Sequence, residues 1–117
     1  MRHHNTNRTL GRKRGQRVAL LRSLARSLVL QEGIVTTVAK AKELRPFVER
    51  LVTTAKKNTL SSRRLVIERI NSEEASIKLH ETIAPRYSKR AGGYTRITQL
   101  GKIGKQATES ARIEFVK

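Results

Sequence analysis

Fourteen of the chain's 26 lysine and arginine side chains lie in two stretches without a single carboxylate, residues 1–31 and 84–106. The first holds Arg2, Arg8, Arg12, Lys13, Arg14, Arg17, Arg22 and Arg26. The second holds Arg86, Lys89, Arg90, Arg96, Lys102 and Lys105. A guanidinium presents a planar fork that grips phosphate oxygens in pairs and stacks on bases. A solvated protein face mixes charge signs, usually at i,i+4 spacing, and these blocks do not. The chemistry they point to is recognition of a polyphosphate. Three further features could serve it. His3 lies between Arg2 and Arg8, Tyr87 and Tyr94 could stack on unpaired bases, and Gly92-Gly93 could let a phosphate or ribose approach the backbone. The plainer reading of the two glycines is a tight turn before Tyr94.

Other chemistries lack their residues. All nine acids are glutamate, so no aspartate is available to a Ser-His-Asp set. With no cysteine there is no disulfide, no thiol nucleophile and no zinc-thiolate site. His80, beside Glu81 on a helix, reads as packed or solvated rather than as a ligand, and His3-His4 reads as an RNA contact before a metal site. Gly104-Lys105 is followed by Gln106 and lacks the earlier glycine of a Walker loop. Gly92-Gly93 precedes a strand and so is no dinucleotide fingerprint. The sequence therefore predicts no enzyme, no cofactor, no metal and no small-molecule substrate. No apolar run approaches the ~18 residues of a membrane span, and the basic start lacks a secretory hydrophobic region. A soluble, intracellular protein is the expectation.

The net charge of +17 works against a compact chain unless a partner supplies counter-charge. The middle of the chain is nearly balanced, with ten bases and seven acids over residues 32–83. Charge alone does not separate RNA from DNA. An architectural DNA binder remains the alternative, although no intercalating wedge or dimer seam is evident.

The elements that must position these residues follow from periodicity. At 117 residues the chain has length for one domain, and with 37% hydrophobic but only 3% aromatic residues its core must be aliphatic. From about Gln16 to Leu30, Val18, Leu21, Leu24, Ala25 and Leu28 share a helical face. Continued backwards, that face carries Lys13, Arg14 and Arg17, so the first turn should project from the body toward something anionic. Gly33 reads as the helix stop with φ > 0, and Ile34–Val38 as a strand. Ala41, Leu44, Val48, Leu51, Val52 and Ala55 predict one helix over 39–57, kinked around Pro46. A shorter helix over 60–71 should be buried through Leu60, Ile67 and Ile70. Ser72 should cap a fourth helix that ends near Ile83, because Pro85 disfavours helical geometry at Ala84. Residues 85–93 read as a basic loop, and Tyr94–Leu100 and Ala111–Val116 as strands. The fold class is α+β. A small mixed sheet is covered by helices on one face, with a basic arm over residues 1–15 and a single domain over 16–117.

The sequence also carries ordered motifs. They begin with Met1-Arg2-His3, Arg8-x-Leu10-Gly11-Arg12 and Arg17-x-Ala19-x-Leu21-Arg22. Next come Thr36-Thr37-x-Ala39-Lys40-Ala41-Lys42-Glu43-Leu44-Arg45-Pro46, Ala84-Pro85-Arg86-Tyr87 and Gly92-Gly93-Tyr94-Thr95-Arg96-Ile97. Together they span nearly the whole chain, and it resembles the bacterial large ribosomal subunit protein seventeen family. The resemblance implies a structural protein of the cytoplasmic ribosome that binds large-subunit ribosomal RNA near the exit of the polypeptide tunnel. It also implies neighbouring ribosomal proteins as partners and an arm threading into RNA. Lys40 and Lys42, from the fourth run, join the bases, histidine, tyrosines and glycines above as the expected RNA-binding set. The match weakens after Leu100, where family members carry an Arg-rich connector with Gly-Asp and this chain has Gly101-Lys102-Ile103-Gly104-Lys105-Gln106.

Overall fold

The computed structural model describes residues 10, 13–102 and 108–117. The expected arm lies almost wholly outside the described residues, as do Ile103–Ala107 of the connector. Helix α1 (Arg14–Gln31) leads into strand β1 (Gly33–Thr37), then helices α2 (Val38–Lys56) and α3 (Leu60–Ile70). Helix α4 (Glu73–Lys78) continues through a π-helical turn, Leu79–Ile83, into the single turn of α5 (Ala84–Arg86), and strands β2 (Thr95–Lys102) and β3 (Glu109–Phe115) close the chain.

Helix α2 is the hub. All six residues of its apolar stripe are buried, and it contacts α1, α3, the π turn, α5 and every strand. It starts where Thr37 accepts a hydrogen bond from the Lys40 amide at 3.2 Å, and it runs unbroken through Pro46. Only the C-terminal half of α1 is buried, through Ala25, Leu28 and Val29, while Val18 and residues 13–16 are exposed. The first turn therefore does stand clear of the core.

The sheet has the order β1-β3-β2, and both pairs are antiparallel. It is not the mixed sheet expected, because the strand made last lies between the two made first and runs against both. Ile34, Ile113 and Ile97 align across it toward the helices; Val35, Arg112 and Thr98 align on the outer face. A bulge between Gln99 and Gly101 shifts the register by one residue before Gly101 pairs with Ser110 and Lys102 with Glu109, and Gly101 takes φ +80° there.

Three local expectations need correction. Helix α3 is buried through Ser62, Val66 and Ile70, with Leu60 and Ile67 exposed. Ser62 can be buried because its hydroxyl and amide are both engaged with Thr59 in a reciprocal cap. The residue with φ > 0 after α1 is Glu32 (φ +66°), not Gly33. A Cβ at Gly33 would meet the tip of the Arg112 guanidinium, which can swing aside, and would lie 3.3 Å from Glu114 Cβ. The helix begun at Ser72 also does not stop at Ile83. The π turn closes with the Ala84 amide donating to the Leu79 carbonyl, so Pro85, which has no amide hydrogen, falls where the wider turn passes back to α-helix.

Glu32 ties these parts together. Its amide donates to the Leu28 carbonyl at 2.6 Å, and its carbonyl accepts from the Phe115 amide at 3.1 Å. Its carboxylate hydrogen-bonds Arg86 and lies 3.4 Å from Lys78 Nζ, which also donates to the Leu30 carbonyl at 2.8 Å. The Arg86 hydrogen bond, reinforced by the charges of Arg86 and Lys78, outweighs desolvation and holds this carboxyl below its ordinary value of 4.5.

Two outcomes follow. Leu51→Ala at the fully buried centre of α2 should cost about 2–5 kcal/mol in urea unfolding. For Glu32 the folded state prefers the ionised form, so its contribution is fully present above pH 4.5 and is lost as pH falls through the lower folded value. Glu32→Gln should therefore lower stability at pH 7 and flatten its decline below about pH 4.5; a decline as steep as the parent's would contradict this.

Candidate nucleic-acid interface

Two basic surfaces carry the expected residues. The first is the outward side of α1. Arg14, Val18, Arg22 and Arg26 follow one another at i,i+4, and with Gly15 and Ser23 they line an open groove of roughly 590 Å³ floored in part by Asn71. Lys13, the residue before the helix, makes no side-chain cap, and no acid occupies the first turn. The helices that follow differ. Thr37 caps α2, Thr59 and Ser62 cap α3, and Ser72 caps α4 by accepting from the Ala75 amide at 3.2 Å, with Glu73 and Glu74 in its first turn. The positive pole of α1 therefore stands among Lys13, Arg14 and Arg17, an arrangement that an anion would relieve.

The second surface is the loop after α5 and the start of β2. Lys89, Arg90, Gly92 and Gly93 are exposed, and Gly93 takes φ +65°. Nothing lies within 4 Å of the Cβ position at either glycine, which leaves the backbone open to approach. Arg90 joins Glu32, Arg86, Tyr87 and Lys117 around a second opening of roughly 590 Å³. Lys102 is exposed at the end of β2. Arg86 and Arg96 are partly spent within the protein. Arg86 pairs with Glu32, and Arg96 donates to Glu114 at 2.8 Å while its side chain stays 63% exposed. Arg112 also donates to Glu114, at 3.1 Å. The Arg96 and Arg112 hydrogen bonds hold the Glu114 carboxyl below its usual range.

Other expected residues fall elsewhere. Lys42 is exposed on α2, and Lys40 beside it is half-buried. Arg2, His3, Arg8, Arg12 and Lys105 lie outside the described residues. Tyr87 and Tyr94 are not open to bases. They are 3% and 1% exposed, with ring centroids 5.2 Å apart at an interplanar angle of 46°. The Tyr87 hydroxyl donates to the Val116 carbonyl, and burial pushes its phenol up. Around the Tyr94 hydroxyl stand Lys56 Nζ at 3.2 Å and Thr53 Oγ1 at 3.3 Å, and it donates to the Arg90 carbonyl at 3.3 Å. Burial raises this phenol, but the Thr53 and Lys56 hydrogen bonds and the Lys56 charge outweigh it, leaving the phenol below its ordinary value. The tyrosines hold the basic loop to α2 rather than presenting a stacking platform. Next to them, Thr95 is fixed through its amide and hydroxyl, 3.2 and 2.9 Å from Glu49 Oε2.

Sequence reasoning missed Arg50 and Arg69. With Pro46, Thr53 and Gly92 they line a groove of roughly 490 Å³ beside the glycine pair. The counting of charge by segment hid them in the balanced middle. A wheel of α2 reveals Arg50 among the positions off the apolar stripe. Among the described residues no group of acids and histidines is placed to hold a metal ion, and no helix is long and apolar enough to cross a membrane.

Residues 20–116 match the ribosomal protein L17 family. The large ribosomal subunit protein bL17 of Gemmatimonas aurantiaca is 50% identical over 116 residues, covering 99% of this chain and 98% of the relative. The bL17 of a Hydrogenobaculum species is 51% identical over 118 residues and covers both chains entirely. That of Erythrobacter litoralis is 48% identical over 99% of this chain and 83% of its own length. With two basic surfaces on a small α+β frame, and likeness of this extent running end to end, the chain belongs to the ribosomal protein L17 family, whose members are structural constituents of the large ribosomal subunit and not enzymes.

Proposed function

We propose that this protein binds and stabilises large-subunit ribosomal RNA, near the exit of the polypeptide tunnel and beside other ribosomal proteins, in the cytoplasmic ribosome. The observation that carries the RNA contact is the start of α1. Three bases crowd the positive pole of a helix that has neither a side-chain cap nor an acid in its first turn, while α2, α3 and α4 are all capped. Repulsion at that pole is a cost to the free protein that phosphate groups remove. The groove of Arg14, Arg22 and Arg26 continues the same face, and Lys89, Arg90 and the open backbone of Gly92-Gly93 add a second contact. Residues 1–15 serve as an arm that enters the RNA, with Arg2, His3, Arg8 and Arg12 on phosphates, and Lys40, Lys42, Lys102 and Lys105 extend the contacts. The tunnel-exit position and the neighbouring proteins rest on family membership.

The contacts act by neutralising phosphates and releasing counterions, so they position RNA helices without reading base sequence. Arg14→Ala and Arg17→Ala should each lower the slope of log affinity against log salt by roughly 0.7–0.9 for every phosphate left without its cation. Their stability should stay within about 0.5 kcal/mol of the parent, as expected for surface positions. An unchanged slope in both would remove α1 from the interface. In lysate, the protein should sediment with the large subunit and remain there after a high-salt wash. Sedimentation with chromosomal DNA, or as a free small protein, would overturn the proposal.

A further inference from the structure

Arg50 of α2 and Arg69 of α3 are exposed, and among the described residues neither pairs with a carboxylate. Both line the groove of roughly 490 Å³ that runs beside Gly92. Its other polar groups are already occupied. The one carboxylate lining it is that of Glu49, whose Oε2 takes the Thr95 amide at 3.2 Å and hydroxyl at 2.9 Å, with Arg45 Nε at 3.6 Å. The Thr53 hydroxyl donates to the Glu49 carbonyl at 3.0 Å, and the Tyr94 hydroxyl donates to the Arg90 carbonyl. Two guanidiniums are left over, together with the Gly92 amide, which no carbonyl of the described residues takes up. The groove therefore offers donors and positive charge to a ligand made of acceptors.

The place of this groove matters as much as its chemistry. Helix α3 packs against both α1 and α2. Asn71, at its end, belongs to the groove of α1, while Arg69 belongs to the groove beside Gly92. Two residues are about 200° of helical turn, so the two grooves open on opposite sides of α3.

We propose that the Arg50–Arg69 groove holds the sugar-phosphate backbone of a second RNA segment, so that the protein fastens two stretches of RNA, one on each side of α3. The inference rests on the rRNA-binding reading and adds a separate grip to it. Guanidinium forks from two helices take phosphate oxygens in pairs. Gly92 joins the groove to the loop carrying Lys89 and Arg90, a basic run that suits an extended polyanion better than a lone carboxylate. No aromatic ring is open to a base there, since Tyr94 is 1% exposed, so the contact follows the backbone and not the base sequence.

The chain has no cysteine, so one introduced thiol can carry an iron chelate that releases hydroxyl radicals at a known place. Ala19→Cys puts it in the groove of α1 and Ala91→Cys in the groove of Arg50 and Arg69. In large subunits reconstituted with either full-length chain, the two thiols should cut different stretches of the rRNA. Adding Arg50→Ala and Arg69→Ala should abolish the cuts from position 91 and spare those from position 19, which also report that the variant folds. The same pair of changes should lower the slope of log affinity against log salt by roughly 0.7–1.8, for one or two phosphates released. One stretch cut by both thiols, or cuts from position 91 that ignore the arginine changes, would overturn the proposal. Cuts from position 91 in a neighbouring protein and none in RNA would give the groove to an acidic polypeptide and overturn it equally. Those results leave the α1 contact standing, whereas no RNA cut from either thiol would remove the rRNA reading as well. If the double variant does not fold, the two cut patterns of the chains with intact arginines decide.

Discussion

Negative charge is scarce in this chain, and the structure places it at junctions. The carboxylate of Glu32 stands where α1 ends, β1 begins and β3 closes against both, and it takes Lys78 from α4 and Arg86 from α5. Glu49 does the same for α2 and β2, holding the amide and hydroxyl of Thr95 while lying 3.6 Å from Arg45. Glu114 spans the sheet between Arg96 and Arg112. Exposed ion pairs of this kind each contribute little. Their value here is positional, because each of the three carboxylates is shared by two partners and so fixes one element against another.

That arrangement separates the basic residues into two populations. Arg86, Arg96 and Arg112 are engaged with carboxylates and have less to offer a ligand. Among the described residues, the bases of α1 and those beside Gly92 make no such pairing. A single sum of +17 conceals this division. The aliphatic core behind α2 supplies the rigid frame, and the buried tyrosine pair fastens the glycine-containing loop to it.

Much of this was legible in the sequence, for physical reasons that also explain the failures. The α2 stripe repeats at i,i+3 and i,i+4 from Ala41 to Ala55, about four turns, and a signal that long survives Pro46. The exposure of the first turn of α1 followed from three bases falling on its apolar face. Helix α3 was misphased because its buried face includes a serine, and hydropathy cannot foresee a hydroxyl already satisfied by a cap. Glycine marked the end of α1 one residue late, since Glu32 itself takes the left-handed backbone and Gly33 already belongs to β1. Tyr87 and Tyr94 sit next to basic residues in the chain, and a linear sequence cannot tell a ring that faces a ligand from one that faces α2. Strand direction was equally hidden, because it depends on which strands become neighbours.

The strand order has a consequence for synthesis. Both outer strands of the sheet, β1 and β2, pair only with β3, which is the last of the three to be made. A growing chain that has emerged as far as Lys102 possesses four helices' worth of packing surface but two strands with no partner. Such strands have unpaired backbone groups that invite association with other chains. The sheet therefore cannot form progressively as the chain is translated. Its pairing waits for residues 109–115, which give both outer strands their partner and bring the Phe115 amide to the carbonyl of Glu32.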